Sequence, residues 1–235
     1  MKTIDSYIVE RCSKKSINEK LTLCHYVNER LILNSQSKLQ PKYKYYPKNI
    51  GELQHLIKKL IVDRGLNADL NDIDVSQIKN MNNLFINALG PFNKILQKLN
   101  IDVSKWDVSN VRNMEGTFSG LTSFNCDISK WNVSEVRNMN HMFRDCKLFN
   151  QNLGSWKVIH VNQMCGMFDG CSNFEGDDLE KWTPNKCGDF RSMFRDCTKF
   201  KANLEKWKIK KNSKLDNMFT NCRSILKKNR PSWYI

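Results

Sequence analysis

Residues 124–146, FNCDISKWNVSEVRNMNHMFRDC, carry the pattern that decides how this chain is organised. Tryptophans recur along the chain at spacings of 25, 25, 26, 25 and 26 residues: Trp106, Trp131, Trp156, Trp182, Trp207 and Trp233. Similarity at one fixed period is the signature of a repeat protein whose units stack on their neighbours. No chemically reactive side chain recurs with the tryptophans, so the pattern also argues against an enzyme.

Each unit is predicted to contain one strand and one helix. Steps of 3, 4 and 3 residues, typical of one helical face, separate the apolar residues Val136, Met139, Phe143 and Cys146. Ser109 and Ser134 stand where helix N-caps are expected. Upstream, Phe124 and Ile128 flank polar residues as in a short strand. We therefore predict an α/β fold, a right-handed leucine-rich-repeat-like solenoid of about six strand–helix coils with parallel strands.

The chain is predicted to divide into residues 1–66, a small helical N-terminal cap with a basic aromatic linker, and residues 67–235, the repeats with a basic C-terminal cap. Capping-box patterns at Ser16–Glu19 and at Asn49–Glu52 each predict the start of a cap helix. Gly65 is expected to end the second helix. Prolines between the two patterns favour an extended linker.

Three ladders follow from the period. The tryptophans are expected to be core residues, because an aromatic side chain buries a large apolar surface. Cysteines recur at Cys146, Cys171, Cys197 and Cys222, where we favour burial as small apolar residues over metal binding or disulfides. Polar residues lie four positions before a tryptophan at Asp102, Asp127, Asn152, Asp178 and Asn203. We favour side-chain bonding to neighbouring turns for this ladder over a recognition role.

The function best supported by the sequence is a non-catalytic, protein-binding repeat scaffold with a partner of unknown identity. Its candidate partner surface comprises Asn125, Asp127, Asn150, Asn152, Asp178 and Asn203. No catalytic residue, cofactor site or metal site is predicted, because no motif for nucleophilic, phosphate-binding or metal chemistry occurs. The EF-hand glycine and glutamate are also missing near Asp69, Asp72 and Asp74.

The alternative function is nucleic-acid or polyanion binding through the basic ends. The formal net charge is +14, and residues 199–235 contain eleven Lys or Arg against two Asp or Glu. The candidate polyanion patch is Lys206, Lys208, Lys210, Lys211, Lys214, Lys227, Lys228 and Arg230. Such a patch gives salt-sensitive binding without sequence preference. We favour a solvated charged end over this function, because no nucleic-acid motif accompanies the charge.

The quoted stretch resembles the repeat of the BspA-like surface-protein family of bacteria and phages, with its combined W-[DN]-V-S and M-F spacing over residues 70–222. The resemblance implies a leucine-rich-repeat-like fold, no catalysis, and roles in adhesion or protein binding. The N-terminus shows no secretory signal, and no apolar run reaches the roughly 20 residues that span a membrane. An intracellular or virion-associated location is therefore expected, without insertion into a membrane.

Overall fold

A computed structural model of the protein describes residues 41–90, 94–225 and 230–234. All but Pro41 and Lys42 belong to one compact unit, Tyr43–Ile235. The first predicted cap helix, after Ser16, lies outside the described residues. The second predicted cap helix, after Asn49, is confirmed as helix α1, Ile50–Arg64. The Asn49 Oδ1 atom accepts from the Glu52 N–H at 3.0 Å, and the helix ends at Gly65, whose N–H donates to the Ile61 carbonyl.

The predicted fold class is wrong. Among the described residues, the α-helices are α1 and the six-residue α2, Leu84–Leu89, and two short 3₁₀ turns follow at Leu96–Lys98 and Leu179–Lys181. Pairing of β type is limited in the same residues to isolated parallel bridges. The units are therefore not strand–helix coils, and the chain is not a leucine-rich-repeat-like solenoid.

The stretches predicted to be helical are runs of tight turns. We call them the turn segments: residues 113–121, 138–146, 163–171, 189–197 and 214–222. Each has two residues of positive φ, four positions apart, such as His141 (54°) and Asp145 (60°). A right-handed α-helix needs negative φ angles at successive residues, so a positive φ at every fourth residue interrupts it. The 3-4-3 apolar spacing therefore arises from repeated turns.

Backbone hydrogen bonds join each turn segment to the next one. In residues 138–146 every second N–H donates to the following repeat at 2.8–2.9 Å, from Met139, His141, Phe143 and Asp145 to the carbonyls of Gln163, Cys165, Met167 and Asp169. The N–H groups between them close turns inside the segment, as Arg144 does to His141. The parallel bridges follow the same path, through Asn80, Asn113, Asn138, Gln163, Asp189 and Lys214.

The predicted strands are also absent from the stretches around Phe124 and Ile128. Both side chains are buried as expected, but the Trp131 N–H donates back to the Ile128 carbonyl and closes a turn. Ser134, predicted to be an N-cap, instead donates its N–H to the Asn132 Oδ1 atom at 3.2 Å. Ser109 does the same to Asp107 at 3.1 Å. These serines therefore stabilise turns.

Columns of aromatic rings form the core. Rings stack at centroid distances of 5.4–5.7 Å along Phe85, Phe118, Phe143, Phe168, Phe194 and Phe219. A second column stacks at 5.9–6.3 Å along Phe124, Phe149, Phe174 and Phe200. The predicted core role of the tryptophans is confirmed, since Trp106 to Trp207 are buried and Trp233 is partly buried. Each tryptophan also donates its Nε1–H to a carbonyl of the preceding repeat, as Trp156 does to Ile128 at 3.1 Å.

The predicted burial of the cysteine ladder is confirmed. Cys146, Cys171, Cys197 and Cys222 are all buried free thiols. Each thiol donates to the carbonyl of a phenylalanine in the preceding repeat, as Cys171 does to Phe143 at 2.9 Å. The ladder therefore links repeats by hydrogen bonds as well as by packing.

Candidate binding groove and basic end

The polar ladder stabilises turns in the structure. The side-chain oxygens of Asp102, Asp127 and Asn152 each accept at 2.9 Å from the backbone N–H two residues later. Asn203 does the same at 3.0 Å. These hydrogen bonds support the structural interpretation of the ladder. They hold the pKa of Asp127 below its ordinary value, chiefly through donation from Ser129.

A second polar ladder, which the sequence analysis missed, lies beside the first. The Asn125 Oδ1 atom accepts from the Asn150 N–H at 2.9 Å, and the Asn150 Oδ1 atom accepts from the Glu175 N–H at 3.0 Å. Asn100 begins the series by accepting from the Asn125 N–H at 3.2 Å. The recurrence of asparagine at a 25-residue spacing was the available signal.

An extra residue interrupts the period beside these ladders. Eight positions separate Phe174 from Trp182, whereas seven separate Phe149 from Trp156. The chain accommodates this residue with a left-handed Asp178 (φ 65°) and the 3₁₀ turn Leu179–Lys181. Asp178 lies so close to Gly154 that a Cβ atom added to residue 154 would be 2.4 Å from the Asp178 Cβ atom. The insertion thus fits only because residue 154 has no side chain.

A groove of about 720 Å³ lies next to this insertion. Three repeats contribute its lining: Ser129, Lys130, Trp131, Asn152, Gly154, Ser155, Asp178 and Lys181. A lysine stands directly before four of the tryptophans, at Lys105, Lys130, Lys181 and Lys206, whereas Ser155 precedes Trp156 and Ser232 precedes Trp233. The short side chains of Gly154 and Ser155 therefore leave room that a regular repeat would fill.

Polar contacts hold the groove wall in place. The Asp178 carboxylate accepts from the Asn152 Nδ2 atom and from the Lys181 ammonium group, each at 2.8 Å. Both hydrogen bonds lower the pKa of Asp178, and the hydrogen bond from Asn152 has the larger effect. The Ser155 hydroxyl donates to the Ser129 carbonyl at 2.6 Å. The groove lining thus contains two ammonium groups, one carboxylate, an amide and hydroxyls, all of them hydrogen-bonding groups.

The structure brings together only some residues of the candidate partner surface. Asn152 and Asp178 meet in the groove wall, and Asn125 contacts Asn150 in the asparagine ladder. Asp127 and Asn203 are exposed turn residues outside the groove lining. Sequence reasoning missed the groove residues Lys130, Ser155 and Lys181, although the lengthened spacing before Trp182 was a visible signal.

The basic end is exposed where the structure describes it. Lys206, Lys208, Lys210, Lys211, Lys214 and Arg230 are all exposed, and Lys227 and Lys228 lie outside the described residues. The Lys210 ammonium group donates to the Lys186 carbonyl at 2.8 Å. The Arg230 guanidinium group lies 5.8 Å from the centroid of the Tyr234 ring. In the described part of the patch, Lys210 and Arg230 therefore contact other residues of the protein. The remaining lysines are exposed: Lys206, Lys208, Lys211 and Lys214.

The sequence of the repeats also matches a known protein family. Residues 52–177, and again residues 127–233, match the family described as Mycoplasma protein of unknown function, DUF285. The chain belongs to this family. The DUF285 match begins within α1 and includes every turn segment and the groove. No curated protein and no solved structure matches the chain.

The DUF285 repeats contain no activated thiol among their described cysteines. Burial raises the pKa of Cys126, Cys187 and Cys222 to about 12, and raises the pKa of Cys146, Cys171 and Cys197 well above its ordinary value. The thiolate is the nucleophilic form, so burial disfavours nucleophilic chemistry at these six thiols. No cluster of three or more His, Cys, Asp or Glu side chains suited to a metal ion occurs in residues 41–90, 94–225 and 230–234.

Two further features of the DUF285 repeats concern charge and membranes. Asp169 is buried, and both of its oxygens accept from the Arg195 guanidinium group of the next repeat, at 2.8 and 2.6 Å. The Arg195 side chain remains 39% exposed, so the pair lies at the surface of the array, where it joins two turn segments. In the part of the chain that the structure describes, no helix has the length and apolar character needed to cross a membrane.

Proposed function

We propose that the protein is a non-catalytic protein-binding module and that the groove beside Trp131 contacts the partner. The observation that carries the proposal is the position of the groove, beside an extra residue that interrupts the 25-residue spacing. Regular repeats build the scaffold, whereas a local departure from the regular spacing changes the surface at that place.

The groove chemistry indicates a polar protein surface as the partner. The exposed Lys130 ammonium group can bind a carboxylate, and the Ser155 hydroxyl oxygen can accept a hydrogen bond from a peptide N–H. We expect a protein partner with acidic and amide side chains at the contact.

The test is affinity purification with a variant that fills the groove. Ser155→Lys restores the lysine found at this place in other repeats, so it occupies the groove without a foreign side chain. Asn162→Arg is the matched control, because it adds one positive charge to the same repeat at an exposed position where earlier repeats have Arg112 and Arg137. We expect the native protein and Asn162→Arg to recover the same partner, and Ser155→Lys to lose it. Equal recovery by both variants, or no partner for the native protein, would exclude the groove.

The setting of this function is a separate proposal. Adhesion at a cell surface and attachment to phage particles are both supported by the resemblance of the repeats to BspA-like proteins. Antibody detection on intact cells and on purified particles distinguishes these settings.

Polyanion binding is the second candidate, and exposure of the basic end favours it. A gel-shift experiment with DNA and RNA at two salt concentrations tests it, because phosphate contacts weaken steeply as salt increases. Absence of a shift at low salt would exclude this candidate.

A further inference from the structure

The balance of charge changes along one face of the array. This face is formed by the six residues between each tryptophan and the turn segment that follows it. After Trp106 and Trp131 these residues are DVSNVR and NVSEVR, with one acidic and one basic residue in each. After Trp156, Trp182 and Trp207 they are KVIHVN, TPNKCG and KIKKNS, with five lysines and no Asp or Glu. Positive charge is therefore concentrated on this face in three successive repeats.

We call the basic part of this surface the lysine face. Its basic side chains are all exposed: Lys157, His160, Lys186, Lys208, Lys210 and Lys211. None of the five lysines forms an ion pair within the part of the chain that the structure describes. Their charges repel one another without compensation, and an anionic ligand would relieve that repulsion.

Contacts between repeats make the lysine face continuous. The Lys186 ammonium group donates to the Nδ1 atom of His160 in the preceding repeat at 3.2 Å. The Lys210 ammonium group donates in turn to the Lys186 carbonyl at 2.8 Å. The repeats of Trp156 and Trp182 have further repeats on both sides. The lysine face therefore extends well into the array and is not confined to the basic end.

The chemistry of the lysine face suits the phosphate backbone of a duplex. Lysine ammonium groups and the exposed amides of Asn162 and Asn185 are donors of the kind that contact phosphates. The three stretches contain no Phe, Tyr or Trp on which unpaired bases could stack, as a site for single strands commonly has. A duplex keeps its bases paired and presents a dense row of phosphates, so these features favour a duplex over a single strand.

We infer that the lysine face binds the phosphate backbone of a nucleic-acid duplex, without preference for sequence. The inference rests on the polyanion candidate proposed above, and it adds Lys157 and Lys186 of the inner repeats to that contact. The groove beside Trp131 plays no part in it.

Fluorescence anisotropy with the full chain tests the inference. The probe is a labelled DNA duplex, three helical turns long, titrated at several salt concentrations. Each lost phosphate contact lowers the slope of log K against log salt by about 0.9, so Lys157→Gln/Lys186→Gln should lower its magnitude by about 2. Lys58→Gln/Lys59→Gln removes the same charge from exposed positions of α1 and should leave the slope unchanged. Unfolding midpoints equal to that of the native chain establish that the variants are folded.

A gain of binding provides the converse test. Glu135 occupies the position that His160 and Lys186 occupy in later repeats, four residues after a tryptophan. Glu135→Lys extends the lysine face by one repeat, so it should tighten duplex binding and steepen the slope by about 1. Asp63→Lys, which makes the same change of charge at an exposed position of α1, should do neither.

The possible failures separate this inference from the polyanion candidate. Absence of duplex binding at the lowest salt excludes both. If Lys227→Gln/Lys228→Gln weakens duplex binding and Lys157→Gln/Lys186→Gln does not, the basic end is the contact and the lysine face is not. Tighter binding of a single strand of the same length, of phosphatidylserine vesicles or of poly-glutamate at matched charge would overturn the assignment to a duplex.

Discussion

At the scale of single residues, left-handed turn positions decide how closely repeats approach. Gly166 has a φ of 57°, and a Cβ atom placed there would lie 2.4 Å from the Nδ1 atom of His141 in the preceding repeat. The His141 ring therefore occupies the place of the missing side chain. Burial, followed by the nearby Arg144, lowers the pKa of His141, so the ring is neutral at physiological pH.

We expect Gly166→Ala to destabilise the fold by about 2–3 kcal/mol, because it adds left-handed strain of about 1–2 kcal/mol to a steric clash with His141. Gly188→Ala is the control, since Gly188 lacks a positive φ and an added Cβ would meet no atom within 4 Å. Chemical denaturation of both variants measures the difference. Equal denaturation midpoints for the two variants would show that the His141 ring moves aside without a loss of stability.

At the scale of the turn segment, the sequence predicted which residues are buried but not the backbone that buries them. Val136, Met139 and Phe143 are fully buried, as the 3-4-3 spacing indicated. A helix and a run of turns both bring residues at such spacing to one side, so the apolar pattern cannot separate them. The distinguishing signal was the recurrence of Gly, Asn and Asp at positions such as Gly116, Gly120 and Asp145, because these residues favour left-handed turns.

The tryptophan column gives a prediction at this scale. Trp156→Phe removes the Nε1–H donation to the Ile128 carbonyl and leaves a small cavity, so we expect a loss of about 2 kcal/mol in the free energy of unfolding. Trp233→Phe should cost less than about 1 kcal/mol, because Trp233 is only partly buried and ends its column. Denaturant titrations of the two variants give the comparison. A larger loss at Trp233 would contradict the importance of internal position.

At the scale of the whole molecule, each repeat is stabilised by its contacts with the neighbouring repeats. The period and the aromatic columns were predictable, because a regular core leaves a regular trace in the sequence. The groove was not, since it depends on one extra residue before Trp182 meeting a glycine in the previous repeat. The glycine and the extra residue lie in successive repeats, and only the stacking of those repeats brings them into contact.

Phe168→Ala tests this coupling, because the Phe168 ring stacks between Phe143 and Phe194 at 5.4 and 5.7 Å. We expect a loss of about 3–5 kcal/mol. Hydrogen exchange should show the greatest loss of protection in the flanking turn segments and the least in α1. The same repeat offers a control in Ile159→Ala, an exposed change expected to cost under about 0.5 kcal/mol. Uniform loss of protection from α1 to Cys222 would refute nearest-neighbour coupling.

The direction of the backbone hydrogen bonds also sets an order of assembly. In residues 113–121, 138–146, 163–171 and 189–197 the alternate N–H groups donate to carbonyls of the following repeat, which is synthesised later. At about 5–20 residues per second, a period of 25 or 26 residues supplies the next repeat every ~1–5 s. Each new repeat thus meets a folded template as it emerges, and the nascent chain can grow by one layer at a time from its N-terminal end.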